Sequence, residues 1–195
     1  LDASTMGTYA VKYVTSSSVC ADSTTFNVTL TATNTVTVNG TYDISTATYV
    51  QDFSISSQET TPTDVTFNND GTKMYVLGDV GDDVNEYNLS TAFDVSTASY
   101  VQRFLVNSQE ATPNGITFNN DGTKMYITGN SGDDVNEYNL TTAFDVSTAS
   151  YVQRFVVSSQ EANPSGIIFN NDGTKMFITG WSGDDVNEYS LSTAF

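Results

Sequence analysis

Asn119-Asn120-Asp121-Gly122-Thr123-Lys124-Met125 decides the fold, because the same seven residues stand at Asn68 and again at Asn170. The spacing is 51 residues each time, and self-similarity at a fixed period marks a tandem array. Between Asp94–Phe144 and Asp145–Phe195, 42 of 51 positions are identical and nine differ.

Working outward from the motif, each unit carries four strand-like runs. In the second they are Gly115-Ile116-Thr117-Phe118, Lys124 to Thr128, Val135 to Leu140 and Tyr151 to Val157. β-Branched and aromatic residues fill these runs, while Gly, Asn, Asp, Ser and Pro collect between them. Asn-Asp-Gly between the first two runs predicts a tight hairpin, a type I turn closed by a left-handed glycine. Pro62, Pro113 and Pro164 precede the first run of each unit, where a missing N–H breaks no ladder bond. Four antiparallel strands in a unit near the usual ~40–50 residues predict all-β architecture built of β-propeller blades. A solenoid coil needs only about 20–30 residues and is disfavoured.

The pattern Pro113 to Phe118, Asp121 to Tyr126 and Asp134-Val135-Asn136-Glu137-Tyr138 resembles the YVTN/NHL-like propeller repeats of microbial surface proteins. The likeness covers residues 43–195 and implies a setting in surface layers, large adhesins or virion appendages. The first 40 residues differ in character. Gly7 to Tyr13 and Thr24 to Leu30 alternate like two strands, similar to the last hairpin of an immunoglobulin-like adhesin repeat. Such a sandwich needs about 100 residues, so the expected division is 1–38 as part of an Ig-like domain and 39–195 as propeller repeats. The units run 43–93, 94–144 and 145–195. Tyr49 to Phe53 reads as a lone fourth strand, and the third unit stops before its own, so the array is expected to be open rather than a closed ring.

A net charge of −17 repels nucleic acid and anionic lipid. The longest apolar runs, such as Ile167-Ile168-Phe169, fall far short of the roughly 20 residues that span a bilayer. Abundant Thr, Ser, Asn and Asp with few Lys lead us to expect an extracellular or cell-surface protein, and Leu1-Asp2-Ala3-Ser4 shows neither a basic start nor an apolar signal core. Cys20 is the only cysteine, so no internal disulfide forms.

Asp82-Asp83, Asp133-Asp134 and Asp184-Asp185 recur in a Gly-Asp-Asp-Val-Asn-Glu loop, offering the hard oxygens that Ca2+ takes. The same residues equally suit a turn that accepts its own backbone N–H groups. With no histidine in the chain, triad and thiol chemistry are excluded. Carboxylate pairs repeated in every unit are arranged like scaffold, since a catalytic site departs from its repeat. The clearest departure is Asp79, Asn130 and Trp181 at one equivalent loop position, a candidate ligand contact. These features predict a non-enzymatic extracellular adhesin module that binds glycan or surface protein and self-associates through blade edges. The alternatives are a structural subunit of a filament, surface layer or fibre and, third, a propeller lyase or hydrolase.

Overall fold

A computed structural model describes residues 8–12, 25–30, 36–38 and 44–194. The chain divides into two compact units, Leu1–Val50 and Gln51–Phe195. In the first, β1 (Thr8–Lys12) pairs antiparallel with β2 (Thr25–Leu30), placing Tyr9 opposite Val28, and β3 (Val36–Val38) joins the far edge of β2. Residues 13–24, Cys20 among them, lie outside the described residues.

The second unit is an array of antiparallel sheets. The first contains β4 (Pro62–Phe67), β5 (Lys73–Gly78), β6 (Asp83–Leu89) and β7 (Ala98–Leu105), in that order. β8 (Pro113–Phe118), β9 (Lys124–Gly129), β10 (Asp134–Leu140) and β11 (Ala149–Val156) repeat it. β12 (Pro164–Phe169), β13 (Lys175–Gly180) and β14 (Val186–Ser190) form a three-stranded sheet. β4 packs beside β8, and β8 beside β12, so these first strands are the inner ones. The expected propeller blades and their open array are present.

The motif folds as its residues dictate. Gly71, Gly122 and Gly173 take φ of 71°, 72° and 68°, which L side chains resist. Asp121 Oδ1 accepts the N–H of Thr123 at 3.0 Å, and Asn119 Oδ1 accepts that of Lys124 at 2.9 Å. A Cβ on Gly122 would overlap the ring of Phe144, whose own N–H donates to the Gly122 carbonyl at 2.9 Å. The second asparagine does not serve the turn. Asn69 Nδ2 donates to the carbonyl of Asn120 at 2.6 Å, and Asn120 Nδ2 to that of Asn171 at 2.7 Å, so it clamps each hairpin to the next.

Apolar side chains fill the space between sheets. Tyr75, Leu77 and Val106 pack against Ile116, Met125, Ile127 and Tyr138 in one buried cluster, and Tyr126, Val157, Ile167 and Ile178 lie in the next. Tyr75 meets Phe118 with ring centroids 4.6 Å apart, a spacing that Tyr126 and Phe169 reproduce. Two features depart from expectation. Three-residue 3-10 turns occur at Val95–Thr97 and Val146–Thr148, where Asp94 and Asp145 accept the N–H two residues on. Tyr49 to Phe53 forms no strand, because its segment has no third-strand ladder to pair with; Tyr49 and Val50 are exposed.

Candidate functional site

One end of the array is built from the loops after β5, β9 and β13 together with the segments that lead into β4, β8 and β12. In each blade the loop hooks onto the lead-in: Asp79 N–H donates to Thr61 O at 3.1 Å, Asn130 to Thr112 O at 3.2 Å and Trp181 to Asn163 O at 3.1 Å. A buried glutamate fixes the mouth from below. Glu161 Oε1 accepts from the N–H of Asn163 at 2.7 Å and Ser182 at 3.0 Å, and its Oε2 from Gly183 at 3.1 Å. Burial raises the Glu161 carboxyl, but these N–H bonds more than offset it and hold it below the usual range. Glu59 accepts the N–H groups of Thr61 and Gly81, and Glu110 those of Thr112 and Ser131. Glu59, Glu110 and Glu161 are therefore structural anchors.

The six aspartates of the acidic loops divide by position. Asp82, Asp133 and Asp184 adopt φ of 45°, 45° and 53°, turning the chain into the next strand. The carbonyls of Asp82 and Asp133 accept the N–H of Val106 and Val157 at 2.8 Å. Burial, then the charges of Asp79, Glu110 and Glu59, raises the Asp82 carboxyl. Asp83 and Asp134 are fully buried. Asp134 accepts from Asn136 Nδ2 at 2.6 Å and pairs with Arg154 at 3.4 Å, as Asp83 does with Asn85 and Arg103. Burial is the main cause that pushes both carboxyls up, against the pull of these partners. Asp185 is exposed and accepts from Asn187 at 2.8 Å. Among the described residues no group of three or more Asp, Glu, His or Cys is placed to hold a metal ion.

The mouth is where the blades differ. Of the nine changes between the second and third units, Asn107/Ser158, Thr112/Asn163, Asn114/Ser165 and Asn130/Trp181 fall on the lead-in, the start of the inner strand or the loop, while Thr117/Ile168 lies at the hairpin end of the inner strand. Thr63, Asn114 and Ser165 are the extra residues of β-bulges, each just after the strand's opening proline. Bulges re-aim side chains and are frequent next to active sites.

One functional candidate escaped the reading of the repeat. Asp64 stands where the other blades have Gly115 and Gly166, and it is the only carboxylate on an inner strand among the described residues. Its Oδ1 accepts the N–H of Val65 at 2.8 Å and its Oδ2 that of Ile116, on the next blade, at 2.9 Å. The signal in the sequence is the three-way difference Asp64, Gly115 and Gly166, which stands among many aspartates that do recur.

Two cavities have volumes of about 480 and 420 Å3, and Asp64 is among the residues that line the smaller. The larger, beside Lys124, Tyr126 and Glu137, occupies the place that Phe144 and Val146 fill against Lys73, Tyr75 and Glu86 one blade earlier. The smaller, beside Phe53, Met74 and Val76, corresponds to the space that Tyr75 and Leu77 fill against Met125 and Ile127. The larger is a blade-packing surface, while the smaller also takes in Pro62, Thr63, Asp64 and Val65 of the inner strand.

The fold defines the class, a β-propeller. No family model and no curated protein matches the sequence. Among solved structures, the array is similar to a candidate 6-phosphogluconolactonase of Bacteroides uniformis at 11% identity and TM-score 0.54, covering 85% of this chain and 43% of that one. A second candidate 6-phosphogluconolactonase, from Bacteroides fragilis, gives 16% and 0.52 over 66% and 34%. The periplasmic gluconolactonase PpgL of Pseudomonas aeruginosa gives 13% and 0.51 over 66% and 35%. The chain spans between a third and a half of the length of these structures. These likenesses correct the expectation of a non-enzymatic adhesin module, since three of the similar solved structures are named as lactonases. Repetition of acid pairs does not exclude chemistry when a further carboxylate, Asp64, breaks the repeat.

Proposed function

We propose that the array serves a hydrolase-type propeller that opens a neutral lactone or ester, with the Asp64 carboxylate as general base. The observation that carries this reading is the place of Asp64: a lone carboxylate on the inner strands, held by N–H bonds from two blades at 2.8 and 2.9 Å. Two fixed bonds orient a base and leave the rest of its lone pairs for water. Water gives its proton to Asp64 as its oxygen adds to the carbonyl carbon. The ring C–O bond then breaks, and the departing oxygen takes that proton back, leaving acid and alcohol. A net charge of −17 disfavours a phosphorylated substrate. The lactonase names of similar propellers support the reaction class. Within the propellers, the hairpin motif and the Asp-Val-Asn-Glu-Tyr strand favour a YVTN/NHL-like repeat over residues 43–195. The test is acid release from glucono-1,5-lactone at constant pH, where a rate no greater than buffer overturns the proposal.

A further inference from the structure

Trp181 is the only tryptophan of the chain, and it is 72% exposed. In the second blade the equivalent Asn130 is engaged, because Asn114 Nδ2 donates to its Oδ1 at 2.9 Å across the mouth. In the third blade both partners change together, to Ser165 and Trp181, between units that differ at only nine of 51 positions. Thr112 is exchanged in the same mouth for Asn163, whose amide donates to the hydroxyl of Ser182. The loop under the indole is fixed by Asn163 O and by the N–H bonds of Ser182 and Gly183 into Glu161. A side chain presented on so constrained a loop needs little further ordering on binding.

We infer that Trp181 is the platform of a binding site for a neutral oligosaccharide, on a different blade from Asp64. An indole face offers a flat apolar surface to the C–H face of a pyranose, while its N–H finds a hydroxyl. Asn163, Ser165 and Ser182 beside it supply uncharged donors and acceptors. Residues 158–166 and 180–185 contain no Lys or Arg, so an acidic glycan finds no partner there and meets the net charge of −17. A protein partner would require an apolar centre in a patch of about 800 Å2 per side, whereas the loop carrying Trp181 is bonded to Asn163 and Glu161, both polar.

The sole tryptophan makes the site its own reporter. Intrinsic fluorescence is followed while malto-, cello-, xylo- and chito-oligosaccharides, and an oligogalacturonide as the acidic arm, are added to the full chain. At least one neutral series should shift the emission saturably. By calorimetry, Trp181→Ala should weaken that binding at least about tenfold, while Trp181→Phe keeps part of it. Because the ring is exposed, Trp181→Ala should leave the melting temperature unchanged, which separates lost contact from lost fold. No saturable response to any neutral series, a response to the acidic arm or to a protein alone, or undiminished binding by Trp181→Ala would overturn the inference. Nothing in this test requires hydrolysis, so it stands or falls apart from the chemistry of Asp64.

Discussion

The ring of Phe53 meets that of Tyr87 edge-on, with centroids 5.8 Å apart and planes at 81°. Phe104 meets Tyr138 at 5.5 Å and 82°, and Phe155 meets Tyr189 at 5.3 Å and 81°. Gln51 donates to Asp94 at 2.5 Å as Gln102 does to Asp145 at 2.8 Å. Residues 51–53 thus make the contacts of a fourth strand with the blade that follows, without being a strand. Contact with a neighbouring blade and pairing within a sheet are separable in this fold. Phe53→Ala should therefore cost about 1–3 kcal/mol in a denaturant titration. A loss below a few tenths would show that the segment merely rests on the first blade.

Two buried tyrosines of the same repeat should respond oppositely to loss of a hydroxyl. Tyr75 Oη donates to the carbonyl of Phe144 at 2.6 Å, across the interface between blades. Tyr138 Oη is buried with no protein partner. Removing a satisfied hydroxyl costs about 1 kcal/mol, while removing an unsatisfied one is neutral or favourable. Tyr75→Phe should lower the unfolding free energy by about that amount and Tyr138→Phe should not. Equal losses in the two variants would sink the distinction.

How much of this was legible in the sequence follows from the range of the interactions. The left-handed glycines, the bulge prolines and the aspartate turns act over four or five residues, and the repeat shows them three times. Asn69 and Asn120 were legible only as turn formers, because their partners lie 51 residues on and the turn alone already accounts for an Asn-Asp-Gly. The strand expected at Tyr49 to Phe53 failed for the converse reason: its composition is that of β7 and β11, but a strand exists only with a partner. Asp64 was open to the same comparison that found Trp181. It was missed because aspartate is common in this chain and tryptophan is not.

Acid titration should separate the two kinds of aspartate. Burial raises the Asp134 carboxyl above its unfolded value, so its contribution to stability is complete below that value and lost as pH rises through the folded one. Asp121, held low by the Thr123 hydroxyl and N–H, contributes above the unfolded value and loses that contribution as pH falls. At neutral pH Asp134→Asn should be at least as stable as the parent, and Asp121→Asn less stable. Both gaps should close on acidification. Melting curves from neutral to acid pH check this, and gaps that stay constant would remove the titrating groups from the account.

Asp64 has a structural bond and a proposed chemical one, and two substitutions part them. Asparagine at this position keeps an oxygen for the N–H of Val65 or Ile116 but cannot take a proton from water. Glycine restores the residue of the other blades and removes both bonds. The backbone of this position tolerates glycine, as Gly115 and Gly166 show. Asp64→Asn should therefore hold its denaturation midpoint close to that of the parent while lactone hydrolysis falls at least about 100-fold. Asp64→Gly should lose the activity and about 1 kcal/mol of stability besides, the worth of a hydrogen bond between blades. If Asp64→Asn hydrolyses lactone at the parental rate, the carboxylate belongs to blade packing alone and the base must be sought elsewhere.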